Sequence, residues 1–336
     1  EKRVVAVLEI IGIERFIHSS VWNLGRPPQD RCALAKAFVV KMIFNCDANS
    51  DLIGLLQGSP NLRKICGWDG PSQVPSEATF SRSFREFAEM GLPERAHQSL
   101  IKQLSGDRVV GHMSRDATDI PIREKVPGKS KPPKPSGPKV ARKRGRPKKG
   151  ETPAPKDPSR IQRQRAMTLT EMLDDLPKGR DWGVKKKGGA LYHWKGYKLH
   201  VDWADGEIPV SAILTSASVH DSQAAIPLAT MSLGRVNNLY DLMDAAYDSR
   251  EIFEHSLSLG HIPIIDPNSR SGERRELAPA QKRRLDERST AERGFSLLKE
   301  GFGARNIRVR GDAKVYAHLM FGLLALAADR LLNLAT

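Results

Sequence analysis

The run Leu285–Lys299, L-D-E-R-S-T-A-E-R-G-F-S-L-L-K, has no proline and a single glycine, and reads as one continuous helix. At about 100° per residue, Arg288, Glu292 and Lys299 fall within about 40° of one another, with Leu285 near the same face. Glu287 and Glu300 point well away. One carboxylate thus stands on a helix face with a cation on either side. A carboxylate can hold a divalent metal, and Arg and Lys can hold phosphate. Taken alone, the simpler reading is an exposed i,i+4 ion pair between Arg288 and Glu292. What the rest of the chain brings to that face decides between the two.

Two further carboxylates stand where strands are expected. In Arg108–Ile120, R-V-V-G-H-M-S-R-D-A-T-D-I, the residues Val109, Val110 and Met113 predict a strand with Asp116 near its centre or end. A carboxylate inside a strand is costly unless it is paired or holds a metal. Asp119, three residues on, belongs to the opposite face of a regular strand. Val236–Met243 is a short apolar strand that delivers Asp244, followed by a helix through about Leu259 and a further strand, His261–Ile265. Between these two acids, Ala190–Trp203 and Glu207–Ser216 predict a hairpin around Ala204-Asp205-Gly206. His193 and His200 face opposite ways on that strand and are poor joint ligands. Next comes His220-Asp221 at the start of a helix through Met231. Asp221 reads most simply as an N-cap, and His220 as a secondary candidate near an active site. Asp312–Leu334 is an amphipathic to fully apolar helix that should close the core.

The order is strand, two antiparallel strands, helix, strand, helix, strand, helix. It predicts an α/β fold, a mixed five-stranded sheet flanked by helices, in which strand ends and a crossing helix meet. Asp116, Asp244 and Glu292 could then share one site. Three acids together repel each other unless divalent cations are present, and oxygen ligation with open positions favours Mg²⁺ or Mn²⁺. Two such ions suit phosphodiester chemistry.

Residues 1–107 read as entirely helical. Arg31–Phe44 has a helical period, Ser50–Leu56 is a shorter candidate, and Gly67–Pro75 is a break. Ser76 is a plausible N-cap for Thr79–Met90, which carries Phe80, Phe84 and Phe87 inward and Arg82 and Arg85 towards the other side. A helix-turn-helix contacting DNA through Arg82 and Arg85 and a plain helical bundle with a solvated basic face fit equally.

The stretch 121–180 reads as a basic insertion of different character. Residues 121–165 hold sixteen Lys and Arg against three acids, a net of +13 out of +15 for all 336 residues. The segment Ile122–Arg165 is rich in Pro and Gly and has no aromatic, so it is read as disordered, or ordered only by a partner. Within it, Arg144-Gly145-Arg146-Pro147 resembles an AT-hook, in which arginines enter a narrow A·T minor groove; a generic basic linker is the plainer alternative. The charge and the pI near 9.8 point to a polyanionic partner. Cys32, Cys46 and Cys66 form no zinc pair and no disulfide framework, which fits a reducing compartment. Leu319–Ala328 is too short an apolar run to span a bilayer.

Four stretches, S-R-D-A-T-D at Asp116, W-K-G-Y-K-L-H-V-D…T-S-A-S-V-H-D over Trp194–Asp221, L-M-D-A-A-Y-D-S at Asp244, and R-S-T-A-E-R-G-F-S-L-L-K, resemble in order an insertion-sequence DDE transposase. R-P-P-Q-D-R…P-S-E-A-T-F-S-R-S-F-R resembles the helical domain that precedes its core. The resemblance implies an RNase H-like (retroviral-integrase) catalytic domain over 108–336 behind a helical DNA-binding or dimerisation domain over 1–107. It implies Asp116, Asp244 and Glu292 as metal-binding catalytic acids for two Mg²⁺ or Mn²⁺ ions, and Arg288 and Lys299 as phosphate contacts. The implied partner is double-stranded DNA, at transposon ends and target, with a homodimer acting on both ends, in a cytoplasmic, nucleoid-associated setting with no membrane and no small-molecule substrate. The family often has tyrosine three residues before the arginine; Leu285 stands here. A nuclease without strand transfer and a non-catalytic DNA-binding derivative are the alternatives.

Overall fold

The structure, a computed structural model, describes residues 1–17, 29–105, 109–128, 157–268 and 276–335. Arg144, Gly145, Arg146 and Pro147 of the AT-hook-like motif lie outside the described residues.

The N-terminal part is helical, as expected: α1 (Lys2–Ile11), α2 (Arg31–Ile43), α3 (Asn49–Gly58), α4 (Pro60–Cys66), α5 (Glu77–Glu89) and α6 (Leu92–Ser105). Asp30 caps α2 by accepting from the Cys32 N–H at 2.8 Å. The α4 helix lies just before the expected break: Pro60 occupies its first turn, and Gly67, at φ 115°, ends it in the left-handed region that glycine favours. Ser76 does stand at the N-cap of α5, but its hydroxyl pairs with the Thr79 hydroxyl at 3.3 Å. The α5 face divides as its pattern demands, with Phe80, Phe84 and Phe87 buried and Arg82 and Arg85 exposed.

The sheet has six strands where five were expected. They are β1 (Val109–Pro121), β2 (Asp181–Lys187), β3 (Ala190–Ala204), β4 (Ile208–Ser216), β5 (Asn237–Met243) and β6 (Ile262–Ile265). β1 pairs antiparallel with β3 and parallel with β5, β5 runs parallel to β6, and β4 pairs with β3 across the expected hairpin. The additional strand is β2, antiparallel to the first half of β3. Helices α7 (Arg160–Gln164) and α8 (Leu169–Asp175) precede it. They correct the reading of the basic segment up to Arg165: Gln164 and Met172 are buried, and Arg160 pairs with Asp175 at 2.8 Å. Helices α9 (Ala225–Leu233) and α10 (Arg250–Ser258) flank β5 in sequence.

The expected single helix over 285–299 is two: α11 (Pro279–Asp286) and α12 (Ser289–Gly301). At the junction the α ladder gives way to i→i−3 bonds, with the Arg288, Thr290 and Ala291 N–H groups donating to Leu285, Glu287 and Arg288 carbonyls at 3.0 Å. α12 lies against β3. A Cβ on Gly294 would meet the Trp203 ring at 2.5 Å, so only glycine lets the helix approach this closely; Phe295 meets the same indole edge-on at 5.2 Å.

Helix α13 (Asp312–Ala335) joins both halves. Its Phe321 ring sits 5.7 Å from Phe38 of α2 and 6.0 Å from Phe84 of α5. The same cluster continues into Met113, Ala204, Val210 and Val236 of the sheet region, so the core does not stop at residue 107. The apolar run Leu319–Ala328 is buried in this helix; Asp312–Leu334 as a whole is long and apolar enough to cross a membrane, but 78% of its most apolar window is buried inside the fold.

Candidate active site

β1 runs through the middle of the sheet and holds Asp116 at its centre, directly opposite Val201 of β3. Alternation puts Ser114, Asp116 and Thr118 on one face with Trp203, Val201 and Leu199 opposite them, the face covered by α12. Asp244 ends the neighbouring parallel strand, β5, and opens a short 3₁₀ turn by accepting from the Ala246 N–H at 2.9 Å. Parallel pairing of Arg115 with Met243 brings these two acids side by side at the same edge of the sheet.

Beneath them the two strands are tied together. The fully buried guanidinium of Arg115 donates to both oxygens of Asp202 on β3, at 2.8 and 2.9 Å, and lies 4.0 Å from Asp241 of β5. Burial alone would lower its pKa; Asp202 and Asp241 outweigh that and hold it charged. His261 completes the pair with Asp241 at 3.2 Å.

Above the sheet, the α11–α12 junction places Arg288 over the acids. Its guanidinium lies 4.0 Å from Asp116 and donates to Glu292 at 3.2 Å. Its charge also lowers the pKa of Asp244. Arg288 thus bridges the Asp116 and Glu292 carboxylates, with Asp244 on the strand beside Asp116. Glu292 is the most open of them, 64% exposed against 21% for Asp116. Among the described residues no three acidic or imidazole side chains are close enough to grip one ion together as they stand. A cavity of about 600 Å³ adjoins the group, lined by Asp266, Glu276, Leu285, Arg288 and Glu292 among others. Leu285, in the place of the family's tyrosine, thus does face the site.

Two of the acids lie above the usual carboxylate range. Burial pushes Asp116 up to about 7; the Ala117 N–H and Arg288 oppose this, while Asp244 and Asp221 add to it. Burial likewise raises Asp244, against the Ala246 N–H and Arg288, with Asp221 and Asp266 pushing the same way. All-oxygen donors destabilised as bare anions are a set that a hard divalent cation fits, since it replaces the missing countercharge.

Lys299 does not join Glu292. It reaches Asp119, at 3.5 Å, and Asp119 also pairs with Lys185 of β2. The decoy acid is thus committed to two lysines, which hold it below the usual carboxylate range despite burial. Of the nearby groups, Asp221 was misread and Tyr247 went unread. Asp221 is not a cap: its carboxylate pairs with Lys198 at 2.8 Å, and its charge bears on both Asp116 and Asp244. His220 turns to the Ser222 hydroxyl at 2.8 Å and is exposed. Tyr247, in the turn after Asp244, is fully buried beside the same acids and its hydroxyl has no hydrogen-bond partner among the described residues. The available signal was position: each follows a strand by a few residues at the end where Asp244 lies.

Comparison with known proteins places the chain in a family. No curated protein and no solved structure matches the chain. A transposase domain (DUF772) matches residues 2–86, the helical part up to α5. The family model described as the transposase DDE domain matches residues 116–328, beginning at the β1 carboxylate and running through α12 into α13. With its matched core starting at Asp116 and enclosing Asp244 and Glu292, the chain belongs to the DDE transposases.

Proposed function

We propose that the transposase acts through an RNase H-like core in which Asp116, Asp244 and Glu292 hold two divalent ions, Mg²⁺ or Mn²⁺, against a DNA phosphodiester. The observation that carries this reading is Arg288, within 4.0 Å of Asp116 and bonded to Glu292, with Asp244 next to the Arg115–Met243 pair on the adjacent strand. Bound ions of this kind activate a water or a 3′-hydroxyl and stabilise the leaving oxygen. The chain's own groups do the rest. Asp116 and Asp244 are fixed by paired strands, while the exposed Glu292 closes over whatever they hold. Arg288, released from the acids when their charge is otherwise balanced, turns to a phosphate oxygen as a forked donor. Lys299 supplies positive charge at the far end of α12. The substrate is duplex DNA at the ends of a mobile element, cleaved and then joined through its 3′-hydroxyl to target DNA. Acting on two ends calls for a homodimer on DNA.

The test is strand cleavage of a plasmid carrying the element's own ends, in Mg²⁺. Asp244→Asn is expected to lose at least about a hundredfold in cleavage rate while still binding the ends. Full cleavage by this variant, folded and DNA-bound, defeats the reading. Joining of pre-cut ends separates a transposase that completes strand transfer from one that only cuts.

A further inference from the structure

The strand that sequence reading missed carries a surface that the acid site does not explain. β1 covers β3 only from Gly196 to Ala204, and β4 only from Tyr197. Residues 190–194 of β3 pair with β2 alone, so β2 and the first half of β3 leave the sheet as a two-stranded ribbon. Its paired register runs from Asp181↔Gly196 to Lys187↔Ala190. At about 3.3 Å per residue the ribbon reaches roughly 20 Å beyond the sheet.

The register sorts its side chains. One face holds Lys185, Tyr192 and Trp194. There the two rings stack at 6.2 Å and 13°, the Lys185 ammonium lies 5.5 Å from the Tyr192 ring, and a Cβ on Gly183 would meet the Trp194 indole at 2.3 Å. On that face Trp194 is buried and Lys185 is engaged by Asp119. The other face holds Trp182, Val184 and Leu191, exposed at 56%, 53% and 66%, interleaved with Lys186, His193 and Lys195. From Trp182 to Lys195 the ribbon has four lysines and no acid. An apolar, unpaired ribbon is a liability unless something covers it.

Its root fixes what that is. Lys185 pairs with Asp119, which lies three residues, about 10 Å, along β1 from Asp116. A phosphodiester held at Asp116 therefore puts the flanking duplex alongside the ribbon. A two-stranded β-ribbon fits a DNA major groove, where lysines meet the phosphates and apolar side chains meet sugars and thymine methyls. We infer that the β2–β3 ribbon is a DNA-binding arm that grips the duplex flanking the reacting phosphodiester, with Lys186 and Lys195 on its backbone and Trp182, Val184 and Leu191 in its groove. The inference rests on the transposase reading and adds an arm to it.

The test uses the full chain and a fluorescein-labelled mixed-sequence duplex, titrated at several salt concentrations. Each lysine removed from a phosphate flattens the slope of log K against log salt by about 0.9, so Lys186→Gln and Lys195→Gln together are expected to flatten it by roughly 2. Trp182→Ala is expected to weaken binding roughly tenfold, the worth of one large side chain withdrawn from contact, with the slope unchanged. A benzoylphenylalanine placed at Leu191 is expected to crosslink to the DNA. Wild-type slope and affinity in all these variants overturn the arm. So does crosslinking of position 191 to a second copy of the chain instead, which would make the ribbon a protein interface. Failure of the wild-type chain to bind any duplex sinks the transposase reading itself and is distinct from both.

Discussion

At Asp116 a single carboxylate links stability to pH. In the fold burial pushes its pKa up to about 7, above the ordinary 3.8 of an unfolded chain. Between those values the folded state binds more protons, so this residue's stabilisation is complete below the lower value and is lost as pH rises through the upper one. Asp116→Asn removes the titration. In chelator, its melting temperature relative to wild type is expected to climb from pH 4 to pH 7 and level off above, ending a few degrees higher. A flat difference across that range, read by differential scanning fluorimetry, refutes the assignment. Added Mn²⁺ should stabilise the wild type at pH 8 more than at pH 5, because protons compete for the same oxygens.

Elements set how closely residues meet, and Gly294 is the clearest case. Alanine favours a helix interior by about 1 kcal/mol, yet here its methyl would enter the Trp203 ring. Gly294→Ala is expected to destabilise by roughly 2 kcal/mol through overpacking, and to cut cleavage by shifting Arg288 and Glu292. Trimming the indole in the Gly294→Ala, Trp203→Leu double variant should recover part of the loss, a coupling that denaturant titration measures. The same element shows what the sequence made legible. Glu292 and Arg288 were readable four residues apart on a helix, and Asp116 and Asp244 were readable on apolar strands, because local periodicity reports local faces. The tightened turn at Glu287–Arg288 was not, since its cause is tertiary: the chain must bend to follow the sheet. β2 was missed because W-G-V-K-K-K buries almost nothing and pairs only with a ribbon. Asp221 passed for a cap because nothing local reveals Lys198, 23 residues back. The short helices α7 and α8 hid in a segment whose average composition, dominated by its lysines and prolines, masks Ile161, Met172 and Leu176.

Across the molecule, the aromatic contacts of Phe321 with Phe38 and Phe84 make the helical part and the sheet one cooperative body. Phe321→Ala, opening a cavity where α13 meets α2 and α5, is expected to cost about 3–5 kcal/mol. Tryptophan fluorescence and far-ultraviolet circular dichroism should report one coincident, lowered transition. Two separated transitions would mean that the helical part melts on its own. A fragment of residues 1–105 is correspondingly expected to lack a cooperative melt, because its Phe38 cluster is left facing water.

The position of α13 in the chain also orders events in time. It follows every other element, and the interior of both halves waits on it. A nascent polypeptide can expose all three acids of the site well before it owns the helix that locks strand and bundle in place. Products terminated before it would carry Asp116, Asp244 and Glu292 but lack the helix that packs against both halves.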